Sequence, residues 1–489
     1  MGVHIQSLHE TVRPSANAVP LARTAEVLSA LSFALDLTEG QPPGHAVRSC
    51  AIGMHLGHEL GLPLEALADL YYALLIKDAG CSTNSSKMMQ ILGTDDIAGK
   101  RDAVAIDWTR IGWESVQYAL SHVKTGAPFL ERVQALFLLA VNQKQNAKIL
   151  NQMRCERGAD IARRIGLSEA AAGAIQCLNE HWDGLGQPVG LRKDQIPLLS
   201  RIMNVAQTTE IFYSLGGRAG PARAVEIARK RSGSWFDPDV VKAFCSIAFR
   251  DSFRADVENA AVRVNQLEPR EDFLTADEGA LDNICLAFAD VIDAKSPFTY
   301  RHSTGVASAA VAIARSLDLS APEVSTIRRA ALLLDIGKLS VPNTILDKPD
   351  KLTNDEWTVV RRHPYYSHEV LRRIPGFSGI AEMAASHHEK LDGSGYFRNM
   401  GAEQLSLPAR ILVVADIYDA LAAKRPYRDE LPLETVLSII AKDVPRALDA
   451  SCFQALKESS ASASQTTRSL QNLSSHIESK SAAPVAVEN

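Results

Sequence analysis

From Ala22 onward, apolar residues recur every three or four positions in stretches separated by short Gly/Pro breaks. No run of strict apolar–polar alternation predicts a series of strands, so the chain reads as all-α. Thr304 to Leu317 puts Val306, Ala310, Ile313 and Leu317 on one face, with His302 just ahead of it. Glu323 to Leu334 repeats the pattern through Ile327, Ala330, Ala331 and Leu334 and stops at Gly337, a natural helix end. Thr353-Asn354-Asp355-Glu356 is a capping-box pattern opening a helix towards His363. Ser406-Leu407-Pro408 opens another, in which Ile411, Val414 and Leu421 bury while Asp416 faces elsewhere. In the middle of the chain Asp237 is placed to cap a helix with Pro238 at its first position.

The ends differ from this pattern. Residues 1–20 are polar and irregular and read as a flexible arm. Residues 458–489 are rich in Ser and Ala and too weakly hydrophobic to pack, so a disordered tail is expected.

Composition narrows the class without naming a function. With 489 residues, 46% hydrophobic and 22% charged, the chain suffices for two or three domains with real cores. A net charge of −5 gives no electrostatic footprint for DNA, although isolated Arg clusters still suit small phosphates. The seven cysteines are scattered without a C-x-x-C pair, which argues against a disulfide framework. The first twenty residues lack a signal-peptide core, and the longest apolar run, Ala135 to Val141, is too short to cross a bilayer. A cytoplasmic protein with no membrane segment is expected.

Fixed offsets reveal an internal repeat. His45 precedes Asp78 by 33 residues, as His302 precedes Asp335. Glu180-His181-Trp182-Asp183-Gly184 parallels Glu389-Lys390-Leu391-Asp392-Gly393, and Arg201-Ile202 and Arg410-Ile411 each follow 18 residues after the Asp. Arg163-Arg164-Ile165 stands 209 residues before Arg372-Arg373-Ile374, the separation of Asp183 from Asp392. The first half then carries 48 extra residues between Asp78 and Arg154.

Chemistry concentrates in the second half. His387-His388-Glu389 places two adjacent imidazoles beside a carboxylate, which is costly in a core and unusual on a surface. With Asp335, Asp416, His302 and His363 it gives the mixture of His and Asp that suits Zn, Mn or Fe. These motifs, with Asp392-Gly393-Ser394-Gly395-Tyr396 and Arg425-Pro426-Tyr427-Arg428, make residues from about 276 to 445 resemble an HD-GYP domain. That bacterial family of metal-dependent phosphohydrolases typically hydrolyses cyclic di-GMP. Three positions depart from its pattern: Leu334 stands where the family has the His of His-Asp, Phe397 replaces the Pro of Gly-Tyr-Pro, and Gly305 replaces an Arg.

The resemblance implies a site. Asp335 would bridge two divalent ions (Fe, Mn or Zn), with His302 and Asp416 on one and His363 and His387 on the other. His388 and Asp293 would belong with a third. Lys338 would face the phosphate, and Arg425 would hold the far end of a cyclic dinucleotide or other small nucleotide. It also implies two HD-type helical bundles in tandem, at 21–266 and 276–457. In the first, Asp36 and His45 match Asp293 and His302, but Arg154 replaces His363, Leu178 and Asn179 replace His387 and His388, and Gln207 replaces Asp416. That copy is expected to be a scaffold or sensor. The function expected is a metal-dependent phosphodiesterase with a site weakened at Leu334. The alternative is an inactive module that binds nucleotide or a protein signalling partner.

Overall fold

The computed structural model describes residues 22–104, 106, 108, 112–269, 276–424 and 429–461. Among them there is no β-strand, only isolated bridges such as Ser232 with Phe236 and Asp392 with Gly401. The all-α expectation holds.

The N-terminal helices are α1 (Thr24–Thr38), α2 (His45–Glu59) and α3 (Leu64–Ile76). A side excursion follows: α4 (Ser85–Leu92), α5 (Asp96–Ala103), α6 (Trp113–His122) and the first part of α7 (Phe129–Ile165). The chain returns through α8 (Glu169–Gln176), α9 (Leu198–Leu215), α10 (Gly220–Arg231), α11 (Pro238–Ile247), α12 (Asp251–Glu258) and α13 (Ala260–Arg263). Asp237 caps α11 as its sequence predicts, accepting from the Asp239 N–H with Pro238 at the first position.

The C-terminal set begins with α14 (Glu278–Asp293), α15 (His302–Ser316) and α16 (Ala321–Leu333). A 3-10 turn, Ile336–Ser340, follows, then α17 (Asn343–Leu346), α18 (Asn354–Val360), α19 (His363–Leu371) and α20 (Ser378–Ala385). It closes with α21 (Leu407–Ala422), α22 (Leu433–Ala441) and a helical run over 450–461. The Thr353–Glu356 capping box forms, with the Thr353 hydroxyl accepting from the Glu356 N–H at 3.3 Å. Ser406 likewise caps α21. Helix runs to Ala461, past the expected domain end at 457. The rest of the expected tail, the N-terminal arm and Arg425 lie outside the described residues.

One hydrophobic core runs through both sets of helices, from Leu28 and Leu74 in the first to Phe288, Leu333 and Val414 in the second. The excursion keeps a small core of its own around Leu92, Tyr118 and Val123, with Leu136 and Leu139 packed against it. It meets the second set at a buried contact in which Asp96 accepts from Lys295 Nζ (2.8 Å) and the Asn343 N–H (2.7 Å), with Ser85 of α4 beside Lys295.

Corresponding contacts recur at the offsets read from the sequence. A β-carbon on Gly80 would lie 1.9 Å from the Arg154 carbonyl oxygen; on Gly337, 2.0 Å from that of His363. Only glycine allows these close passages. Glu180 accepts from the N–H groups of Val189 and Leu191, and Glu389 from those of Arg398 and Met400. Asp36 accepts from Ala46 N–H, and Asp293 from Ser303 N–H. The two sets also meet in a reciprocal way. Arg164 pairs with Asp290 on α14, while Arg373 lies 4.1 Å from the ring centre of Phe33 on α1.

Candidate metal centre

Asp335 sits at the end of α16, where the chain leaves the helix and turns under α19. Its carboxylate is buried, and its two oxygens face different groups. Oδ2 lies 3.5 Å from His302 Nε2 and accepts from Lys338 Nζ at 2.6 Å. Oδ1 lies 3.4 Å from His363 Nε2 and 3.5 Å from His387 Nε2. Asp416, on α21, closes the first side with Oδ1 3.1 Å from His302 Nε2. His388 Nδ1 stands 3.7 Å from Asp416 Oδ2. His363, His387 and His388 offer nitrogens within 4.8 Å of one another.

Helix ends build this cluster. His302 is the first residue of α15 and His363 the first of α19; His387 and His388 follow α20. Each helix is held by an apolar stripe, so the imidazoles converge as the stripes pack.

The imidazoles are fixed for ligation. His363 Nδ1 meets the Val360 carbonyl at 2.8 Å, and His387 Nδ1 meets that of Ala384. Donation from Nδ1 leaves the Nε2 lone pair inward, and these two Nε2 atoms face each other at 3.0 Å. His302 Nδ1 meets Asp419 Oδ2 at 2.6 Å, which aims its Nε2 at Asp335 and Asp416. Two lone pairs facing across 3.0 Å, beside a buried carboxylate oxygen (Asp335 Oδ1) with no hydrogen-bond partner, form a cradle for a cation. The donors fit a divalent metal.

The electrostatics divide the cluster. Burial opposes protonation of His302, but hydrogen bonds to Asp335, Asp416 and Asp419 outweigh it and hold that imidazole well above its usual range. Burial pushes the His363 imidazole down to about 3, and burial and His387 hold His388 well below its usual range. Both rings are therefore neutral, as ligands must be. Burial opposes ionisation of Asp335, but Lys338 and the surrounding imidazoles outweigh it and hold the carboxyl well below its usual range.

Of the residues expected at the site, the structure gathers His302, Asp335, Lys338, His363, His387, His388 and Asp416. Asp293 stands at the margin, its Oδ1 accepting from the Ser303 hydroxyl (2.7 Å) and N–H (3.2 Å) at the start of α15. Arg425 lies outside the described residues. Leu334 is buried at 1% exposure, and its carbonyl accepts from the Ser367 hydroxyl. Asp419 was missed by the sequence reading. It lies three residues after Asp416, a spacing that sets both on one face of α21.

The corresponding place in the N-terminal helices holds cations of its own. Lys77, 257 residues before Leu334, donates to Asp78 and stands 3.0 Å from His45 Nε2. Arg154 donates to Asp78 at 2.7 Å. His45 Nδ1 meets Glu210, 209 residues before Asp419. Glu39, Asp78 and Cys81 have metal-like spacing, but Arg154 approaches both carboxylates.

Buried imidazoles with oriented Nε2 atoms converge on a carboxylate between packed helices and make a candidate metal centre. A model of the HD domain family matches residues 144–240 and 287–452. The chain is 40% identical over 444 residues to "3'3'-cGAMP-specific phosphodiesterase 3" of Vibrio cholerae serotype O1, spanning 90% of this chain and 95% of that protein. A cyclic di-GMP phosphodiesterase of Pseudomonas aeruginosa is 43% identical over 27% of this chain and 32% of its own. The crystal structure of a cyclic GMP-AMP specific phosphodiesterase of V. cholerae, V-cGAP3, superposes with a TM-score of 0.62 at 36% identity, covering 90% of this chain and 98% of that one. The chain belongs to the HD domain family and is a metal-dependent phosphohydrolase. No helix among the described residues is long and apolar enough to cross a membrane.

Proposed function

We propose that the chain hydrolyses a phosphodiester bond of a 3'3'-linked cyclic dinucleotide, with 3'3'-cGAMP as the first substrate to test and cyclic di-GMP as its competitor. The observation that carries the reading is Asp335, a buried carboxylate whose two oxygens face separate sets of imidazoles. The similarity to a cGAMP-specific phosphodiesterase over nine-tenths of the chain supports the choice of dinucleotide.

In this reading the Asp335 carboxylate would help to hold divalent metal on both of its sides. His302 and Asp416 would hold it on one side, His363 and His387 on the other, and His388 stands beside Asp416. When bound, the ions supply charge that clamps the diester and acidity that lowers the pKa of water. Asp419 orients His302. Lys338, which rests on Asp335, turns its ammonium to a non-bridging phosphate oxygen.

The N-terminal helices are in this reading a second HD bundle whose centre has been filled by side-chain cations. Lys77 and Arg154 neutralise Asp78 where metal would otherwise do so. This copy braces the catalytic one through α1 and the Asp96 contact. The experiment is hydrolysis of 3'3'-cGAMP and cyclic di-GMP by Mn-loaded protein, beside Asp335→Asn. Turnover of either substrate that Asp335→Asn abolishes supports the reading. Equal rates in both proteins defeat it.

A further inference from the structure

Beside the metal centre, α18 and its C-cap carry two unusual neighbours. Trp357 leaves 43% of its surface exposed, and Arg361, one turn later, is also exposed. The Arg361 guanidinium lies 5.7 Å from the centre of the Trp357 ring and 5.6 Å from that of Tyr396. Tyr396 in turn stands 4.6 Å from the His388 ring, tilted by 30°. A file of aromatic and guanidinium groups therefore leads from the metal ligands to the surface. Among the described residues no carboxylate pairs with Arg361, in contrast to Arg372 and Arg398 nearby, which bind Glu369 and Glu382.

We infer that Trp357 and Arg361 form a purine-binding subsite that receives one base of the substrate while its phosphodiester lies on the metal centre. This rests on the cyclic dinucleotide reading above and adds the residues that choose the base. An exposed indole costs hydration free energy that a stacked base would recover. A guanidinium held against rings offers both a face for stacking and N–H donors along its edge. Those donors match the O6 and N7 acceptors of guanine, whereas adenine presents a donor at N6. The site thereby favours guanine as the base next to the attacked phosphate. Lys338 and the metal-holding imidazoles act at the phosphate and do not distinguish the bases.

The test compares two diesters on the full-length Mn-loaded protein. Bis(p-nitrophenyl) phosphate has no purine and reports the metal centre; 3'3'-cGAMP reports centre and subsite together. Arg361→Ala should lower the ratio of kcat/KM for 3'3'-cGAMP to that for the purine-free diester by tenfold or more, chiefly through KM. Arg361→Lys, which keeps the charge and loses the planar fork, should recover only part of it. An independent readout is tryptophan fluorescence. Addition of a linear guanine–adenine dinucleotide should quench wild type, and the quench should vanish in Trp357→Leu. An unchanged ratio in Arg361→Ala, or quenching that persists in Trp357→Leu, overturns the subsite. If wild type cleaves the purine-free diester but no cyclic dinucleotide, the functional reading fails; the quench in wild type and its loss in Trp357→Leu then decide the subsite alone.

Discussion

Gly305 and Asp419 are in contact such that a β-carbon on residue 305 would lie 1.9 Å from Asp419 Oδ1. The family pattern has an arginine at residue 305, and here its absence opens the space through which Asp419 reaches His302 Nδ1. Gly305→Ala should displace that carboxylate and weaken metal binding much as Asp419→Ala does. Loss of a carboxylate behind a metal-ligating histidine typically costs about 10- to 100-fold in affinity. Metal titration of the two variants checks this. Unaltered affinity in Gly305→Ala would mean Asp419 does not set the orientation of His302.

Leu334 concentrates a second expectation. At the matching place in the N-terminal helices, the Lys77 side chain reaches His45 Nε2 and Asp78, so a side chain here can point into the centre. Leu334→His should supply a further nitrogen to the His302 side and raise both metal affinity and hydrolysis. A tenfold gain corresponds to about 1.4 kcal/mol. The competing outcome is a lower melting temperature with no gain, because an unpaired imidazole in an apolar slot costs roughly 1–3 kcal/mol.

Much of this was legible from residue types and spacing. The capping patterns at Thr353, Ser406 and Asp237 were readable because a cap is a local contact, closed within three residues. The matching offsets of the motifs in the two halves were readable because they are spacings along the chain. What the sequence hid were partners set by packing between distant helices. Asp419 looks like any polar residue on α21 until α15 brings His302 to it. Lys77 was overlooked because it was compared with no counterpart, although the 257-residue offset places it at Leu334. Nothing in the spacing of Trp357 and Arg361 tells that Tyr396 comes to lie 5.6 Å from the Arg361 guanidinium.

Removing a cation from the N-terminal centre should destabilise the fold without touching metal. Arg154 is the 2.7 Å partner of Asp78, whose side chain is 2% exposed, and it also approaches Glu39. Breaking a buried pair from one side costs about 3–5 kcal/mol. Arg154→Met should therefore lower the midpoint of urea unfolding and leave the metal content of the protein as in wild type. A loss of metal equal to the loss of stability would show that the N-terminal cluster takes part in binding it.

Glu210 makes the acid response of that same centre predictable. Burial alone would raise its carboxyl, but His45 and Arg48 outweigh burial and bring it down to about 2. A carboxyl depressed from about 4.5 in the unfolded chain stabilises the fold at pH above that value. The contribution, on the order of 3 kcal/mol, is lost as the pH falls from about 5 to about 2. Wild type should exceed Glu210→Gln in melting temperature at pH 7, and the gap should close steadily over that window. A gap independent of pH would assign the stabilisation to packing instead of charge.

The most direct test of the central claim joins metal content to turnover. Metal-free protein is titrated with Mn while hydrolysis of 3'3'-cGAMP is followed, for wild type, Asp335→Ala and Asp78→Ala. The geometry predicts a rate that rises with metal in wild type and in Asp78→Ala, and neither bound metal nor hydrolysis in Asp335→Ala. Hydrolysis without metal, or an Asp78→Ala protein that loses metal and rate as fully as Asp335→Ala, would contradict it.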